Sequence, residues 1–267
     1  MICIYENNTA HGEPILTGVK MKVQFERFLS TDSPKAIKAS GYGYLNGINY
    51  MAPHKLGGVG NMCPNASAGC IALCLGDHSG QAAMSQNVKD SRKRKAVYFM
   101  KSRQEYMAEF AYHVKKTINK ANKLGLKTAI RPNGSTDIAY EGIPVTVEGT
   151  VYPNIMSAFP DQPFLDYTKN PKRFDRALPP NYHLTFSLSE TNESEARAIL
   201  KRGYNVAVVF GSGLPETYLG HPVINGDEHD LRFLDPKGVI VGLSPKGHKA
   251  KKDTSGFVIR NYANHNA

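Results

Sequence analysis

The stretch YHLTFSLSETNESEARAILKRGYNVAVVF, residues 182–210, decides how the chain is read. It opens with Leu184, Phe186 and Leu188 in alternation, the period of a strand. Asn192–Arg202 follows as a short amphipathic helix, with Thr191 or Asn192 as its N-cap and Gly203 at its end. Asn205–Phe210 is then nearly all apolar, the pattern of a strand buried on both faces. A strand, a helix and a second buried strand in so short a span imply parallel pairing through a helical crossover.

The same alternation extends outward. Leu126–Ile130 and Pro163–Tyr167 read as earlier strands, and Val239–Leu243 as a later one. Ahead of them runs one long helix, from about Ser91 to Leu124. Val97, Met100, Met107, Phe110, Ala111, Val114, Ile118 and Ala121 recur on it at helical spacing, and Gly125 stops it. The expected fold is α/β: a single-domain partial or closed β/α barrel, TIM-like, over residues 41–260, with a cysteine loop before the long helix. Residues 1–40 form an N-terminal extension, with Met21–Phe28 as an edge strand, and 261–267 form a tail. Gly41–Gly60 is rich in Gly, Tyr and Asn and reads as turns, or as backbone approaching a ligand.

Composition excludes some classes. A hydrophobic share of 41% and a charged share of 21% are those of a globular chain. No apolar run reaches the roughly 20 residues a bilayer span needs, and Met1–Ala10 lacks a secretory-signal pattern. The expected location is cytoplasmic. Lys plus Arg is 33 against 23 Asp plus Glu, a formal charge of +10. That balance favours nucleic acid, a nucleotide or an acidic partner, or is simply a solvated basic surface. Arg92-Lys-Arg-Lys95 is one such run, placed to contact phosphate or lie in solvent.

The sharpest chemical feature is Cys63-Pro-Asn-Ala-Ser-Ala-Gly-Cys70-Ile-Ala-Leu-Cys74. Cys70 and Cys74 share a helical face if the segment is helical, and Cys63 returns to them through a loop. Clustered cysteines in a cytosolic chain read as metal-binding or catalytic before they read as a disulfide. Three soft thiolates suit an iron–sulfur cluster, most of all 4Fe-4S, or zinc. Zinc needs a fourth ligand, for which His54, His78 and Cys3 are candidates. Buried thiols without metal, or a disulfide, are the bland alternatives.

In a β/α barrel the active site lies at the C-terminal ends of the strands. Polar clusters stand there: Arg131, Asn133, Ser135 and Asp137; Asp166, Tyr167 and Lys169; Ser187, Ser189 and Glu190; Ser244 and Lys246. Asn133, Ser135, Asp137, Asp166, Lys169, Ser187, Ser189, Glu190 and Lys246 are the candidate cofactor-binding residues. Any one of these clusters is also what an ordinary loop provides. Asp227, His229 and Asp230, with Asp235 beyond, could hold a hard metal or act as acid and base, or form a solvated acidic turn.

The motifs Asn61-Met-Cys63-Pro, Gly69-Cys70 and Cys74-Leu-Gly, then Arg131 to Asp137, Asp166-Tyr-Thr-Lys169, Leu184-Thr-Phe-Ser187, Ser189-Glu190 and Gly226-Asp227 through Asp235-Pro resemble the phage "gene product 88" proteins. The likeness runs from about Gly41 to Phe257. It implies a bacteriophage or prophage origin, hence host cytoplasm, and no particular reaction. A looser likeness is to the radical S-adenosylmethionine enzymes, which place three cysteines after the first strand of a partial β/α barrel. That likeness implies a four-iron cluster on Cys63, Cys70 and Cys74, completed by S-adenosylmethionine, with Asn133, Ser135, Asp137, Ser187, Ser189 and Glu190 facing the cofactor or the substrate. The cysteine gaps depart from that family: six and three residues here, three and two there. Leu73 stands where an aromatic residue is usual, and Arg131–Asp137 replaces a Gly-Gly-Glu strand end.

The leading expectation is an iron–sulfur protein which, if an enzyme, uses radical S-adenosylmethionine-type chemistry on an anionic substrate, a nucleotide or nucleic acid. The alternative is a non-catalytic protein that binds nucleic acid or a host protein, with a structural cluster or zinc.

Overall fold

The computed structural model describes residues 15–16, 19–20, 23–78 and 84–262. Ten strands make one mixed sheet: β1 (Leu29–Ser30), β2 (Tyr44–Asn49), β3 (Lys127–Arg131), β4 (Phe164–Thr168), β5 (Tyr182–Ser187), β6 (Val206–Phe210), β7 (Thr217–Tyr218), β8 (His221–Asn225), β9 (Ile240–Leu243) and β10 (Val258–Ile259). Their order is β7-β8-β9-β6-β5-β4-β3-β2-β1, and β10 pairs with β6 beyond the end of β5. All pairs from β2 to β8 are parallel, and only the edge pairs β1–β2 and β7–β8 are antiparallel.

This bears out the α/β expectation and corrects its closed form. Among the described residues no ladder joins the β1 edge to the β7 edge, so the sheet is open. The strands read in the sequence stand within a residue or so of their expected limits. Four more in this sheet were not read: β2, β8 and the two-residue β7 and β10. β2 lies inside the Gly-rich stretch expected to be turns, and β8 lies just before the acidic loop. The expected edge strand Met21–Phe28 is instead the two-residue β1; Met21 and Lys22 lie outside the described residues.

The long helix is two helices, α4 (Gln86–Lys101) and α5 (Arg103–Lys123), preceded by α1 (Pro34–Ser40), α2 (Ala68–Ala72) and α3 (Leu75–His78). Ser102 breaks the run at φ −139° and ψ 60°, outside helical values. α5 buries Tyr106, Met107, Phe110, Ala111, Val114 and Ala121 along one stripe. Gly47 in β2 allows that approach, since a Cβ there would stand 3.2 Å from Ile130 Cδ1 and from Thr117 Cγ2. No helix among the described residues is long and apolar enough to cross a membrane.

The opposite face of the sheet is covered by chain from both ends of the sequence. Ala39 of α1 and Leu231 pack on Ala129 and Leu165, and the Phe233 ring meets Tyr44 and His183. Asp230, fully buried, pairs with Arg131 at 2.7 Å, and Lys38 donates to the Asp227 carbonyl. Asp235 pairs with Arg232, and Asp227 with Lys246. The expected solvated acidic turn is therefore a packed plug in which each of these carboxylates meets a cation.

Candidate functional site

The cysteine segment follows β2 and lies at the C-terminal ends of the parallel strands. Ser67 starts α2 by accepting the Cys70 N–H at 3.2 Å, a short N-cap. α2 stops at Ala72, so Cys74 stands between α2 and α3 rather than on one continuous helical face with Cys70. Cys63 Sγ accepts the His54 backbone N–H at 3.3 Å and lies 3.8 Å from the Ser135 carbonyl.

All three cysteines are half-buried free thiols. Burial pushes the Cys63 thiol up to about 12, and Cys74, Asp137 and Cys70 push it further the same way, against the His54 hydrogen bond. Burial also raises Cys74, with Cys70 adding to the shift. Each sulfur thus lies within electrostatic reach of the others, and Cys63 and Cys74 are neutral thiols near pH 7. Among the described residues no three His, Cys, Asp or Glu side chains already stand as a metal-holding group. Thiolate sulfur is the donor type that soft metals take, and a cation would offset the burial that disfavours the thiolates of Cys63 and Cys74.

What holds the segment is a shell of the polar residues read from the sequence. Glu190 accepts the Gly69 N–H at 2.7 Å and the Ser67 hydroxyl at 2.8 Å. Ser135 donates to the Met51 carbonyl at 2.6 Å, and the Asp137 N–H to the Met62 carbonyl at 2.9 Å. Gly76 presses on Ser135, where a Cβ would come within 2.7 Å. Arg92 donates to the Gly76 carbonyl at 2.6 Å and lies over the Tyr50 ring.

The other candidates divide. Asn133 and Asp166 are bound to each other behind the mouth: Asp166 accepts the Asn133 N–H, its amide and the Tyr182 hydroxyl, at 2.6–2.8 Å. Burial raises Asp166 to about 6, against the pull of Arg173 and these donors. Asp137 accepts from Arg173 and from the Lys169 N–H. Lys169 Nζ donates to Ser187 at 2.7 Å and stands over Phe257, so these two form a separate pair at the mouth. The Ser189 N–H is taken by Asn192, whose side chain closes this turn instead of capping the next helix, Glu193–Lys201, here α6. Lys246 is held by Asp227 and joins none of the others. His78 pairs with Asp77, His54 enters through its backbone, the N–H to Cys63 Sγ and the carbonyl to the Met62 N–H, and Cys3 lies outside the described residues.

The basic run Arg92–Lys95 is corrected in part. Lys93 and Arg94 are exposed, but Arg92 braces the cysteine segment and Lys95 is buried. Lys95 donates to the Phe28 carbonyl and approaches Asn49. Arg173, buried among Asp137, Glu141 and Tyr182, was not singled out from the sequence. An isolated arginine in a turn carries no spacing signal.

The model of the family described as Gene product 88 matches residues 26–261. No curated protein and no solved structure matches the chain.

Proposed function

The chain belongs to the Gene product 88 family, and from that premise we propose that it is an iron–sulfur protein whose cluster ligands are Cys63, Cys70 and Cys74. The observation that carries this reading is that three free, half-buried cysteines stand in one short segment at the C-terminal ends of parallel strands, where α/β folds build their sites.

A bound cluster would supply one-electron chemistry, and with three protein ligands it keeps a coordination position for a small molecule. The chain's own residues do the holding. Glu190, Ser135 and Arg92 fix the segment at three points, through Gly69, Met51 and Gly76. Lys169, half-buried beside Ser187, is the cation at the mouth that would meet an anionic group. In its most specific form the proposal is radical chemistry with S-adenosylmethionine. The arrangement of three cysteines after the first parallel strand, ahead of the helices and the next strands, supports that form.

The test is anaerobic purification and reconstitution with iron and sulfide. We expect about four iron and four sulfide per chain and broad visible absorption lost on reduction. Single Cys63→Ser, Cys70→Ser and Cys74→Ser variants should each fall below half of that iron. Tight stoichiometric zinc, with no iron retained after reconstitution, would replace this reading with a structural metal. Added S-adenosylmethionine should perturb the electron paramagnetic resonance signal of the reduced cluster; an unchanged signal would remove the radical form alone.

A further inference from the structure

A cleft of about 510 Å³ opens between the end of β5 and the C-terminal segment 253–261. It exists because β5 leaves the edge of β6 at Ser187, while β10 joins β6 higher up, at Val209 and Phe210. The floor is apolar, with Leu188 and Val258 almost fully buried and Ile259 beside them. Its size lies in the range of small-molecule sites.

The charges around it are unbalanced. Glu190, Glu193 and Asp253 line it against Arg260 alone. Arg260 is held within its own segment, its guanidinium donating to the carbonyls of Lys251 and Asp253, beside the Asp253 carboxylate. Asp253 is likewise engaged, accepting from Ser255 and Val258. The carboxylates left at the cleft are Glu190, which also grips the cysteine segment, and Glu193, paired with Arg197 on its own helix. In a chain with formal charge +10, this is a local site of the opposite sign.

The cleft also shares a wall with the cysteine segment. A Cβ on Gly69 would stand 2.8 Å from Glu190 Oε2 and 2.8 Å from Ser255 Oγ. Both of those residues line the cleft. A group that draws the Glu190 carboxylate toward the cleft must therefore loosen its hold on Gly69 and Ser67.

We propose that this cleft binds an organic cation, an amine or guanidine on an aliphatic stem, and that its occupancy is transmitted to the cysteine segment through Glu190. The stem lies on Leu188, Val258 and Ile259, and the charged head meets Glu190 and Glu193. A free anion is repelled by the same pair. The inference goes beyond the cluster reading and needs no metal, so the two fail separately.

The test uses full-length, reduced, metal-free protein, with agmatine as the probe and glutarate as the anionic control. Calorimetry should show saturable agmatine binding that weakens with salt, and none for glutarate. Glu193→Gln should weaken binding about tenfold at an unchanged unfolding midpoint. Thr254→Trp, a bulky group at an exposed lining position, should abolish it. Agmatine should also change the alkylation rate of Cys70, followed by mass spectrometry. Absence of saturable binding, equal binding of glutarate, or binding indifferent to both substitutions would overturn the site. Binding with an unchanged Cys70 rate would overturn the coupling.

Discussion

Glu190 and Gly69, 121 residues apart in sequence, are joined by a 2.7 Å hydrogen bond from the glycine N–H to the carboxylate. The bond fastens the helix carrying Cys70 to the end of β5. Any side chain on Gly69 would push this carboxylate away.

Gly69→Ala should therefore destabilise the protein by about 1–3 kcal/mol, the usual cost of forcing atoms into a filled contact. Glu190→Gln keeps the volume and loses one acceptor, and should cost less. Urea unfolding orders the two. Both variants should alkylate faster at Cys70 than the parent chain does. Gly69→Ala matching the parent in both measurements would mean that this contact is slack.

The buried thiol of Cys63, raised to about 12, should be slow toward iodoacetamide at pH 8. A free cysteine is roughly a quarter thiolate at that pH, so Cys63 should lag it by at least about a hundredfold. Timed alkylation with peptide mapping measures this. Metal loading should abolish the reaction altogether, while Cys63 reacting as fast as free cysteine would contradict the burial.

Lys95 gives a pH dependence with a definite sign. Burial lowers it from 10.5 to about 7, with Glu109 opposing the shift. Between those values the unfolded chain holds a proton that the folded chain has released. The stability Lys95 contributes is full above pH 10.5 and is lost as pH falls through 7. Relative to Lys95→Met, the parent chain should gain on the order of a few kcal/mol between pH 7 and about 10. Chemical unfolding at several pH values checks this, and a flat difference would place Lys95 in a wetter environment.

Asp166 should tolerate no truncation. Asp166→Ala removes the acceptor for two Asn133 donors and the Tyr182 hydroxyl, all buried. The cost should be on the order of 3 kcal/mol, with Asn133 and Ile138, bonded to each other behind the mouth, losing order together. Hydrogen exchange at residues 133–138 is the readout that separates this from a global loss. Protection there as high as in the parent would show the bond to be dispensable.

The strands β3, β4, β6 and β9 were legible as short apolar runs, and β5 by the alternation of Leu184, Phe186 and Leu188. β2 was not. Its Asn46, Gly47 and Asn49 are residues of turns, and the glycine is explained by the close approach of Thr117 of α5 together with Ile130 and Leu29 of the neighbouring strands. The helix break at Ser102 leaves the apolar spacing nearly in phase, so periodicity passes over it. The cysteines were legible as a cluster, since their spacing is local. Their supports were not. Whether Arg92 points at the segment depends on how α4 is rotated. A lysine as deeply buried as Lys95 runs against the ordinary habit of charged side chains. The acidic loop misled because its neutralising partner Arg131 lies 99 residues away.

The plug of residues 226–235 has a consequence for how the chain is made. Ala39, Ala129 and Leu165 emerge early from the ribosome, while Leu231, which covers them, is synthesised last of the four. Until then one face of the nascent sheet stays uncovered, and Arg131 waits without Asp230. Contacts of such long sequence separation are slow to form and expose apolar surface in the interval. A chain cut before Gly226 should thus be a chaperone client or an aggregate, even though it holds Cys63, Cys70, Cys74 and six of the strands that pair in parallel.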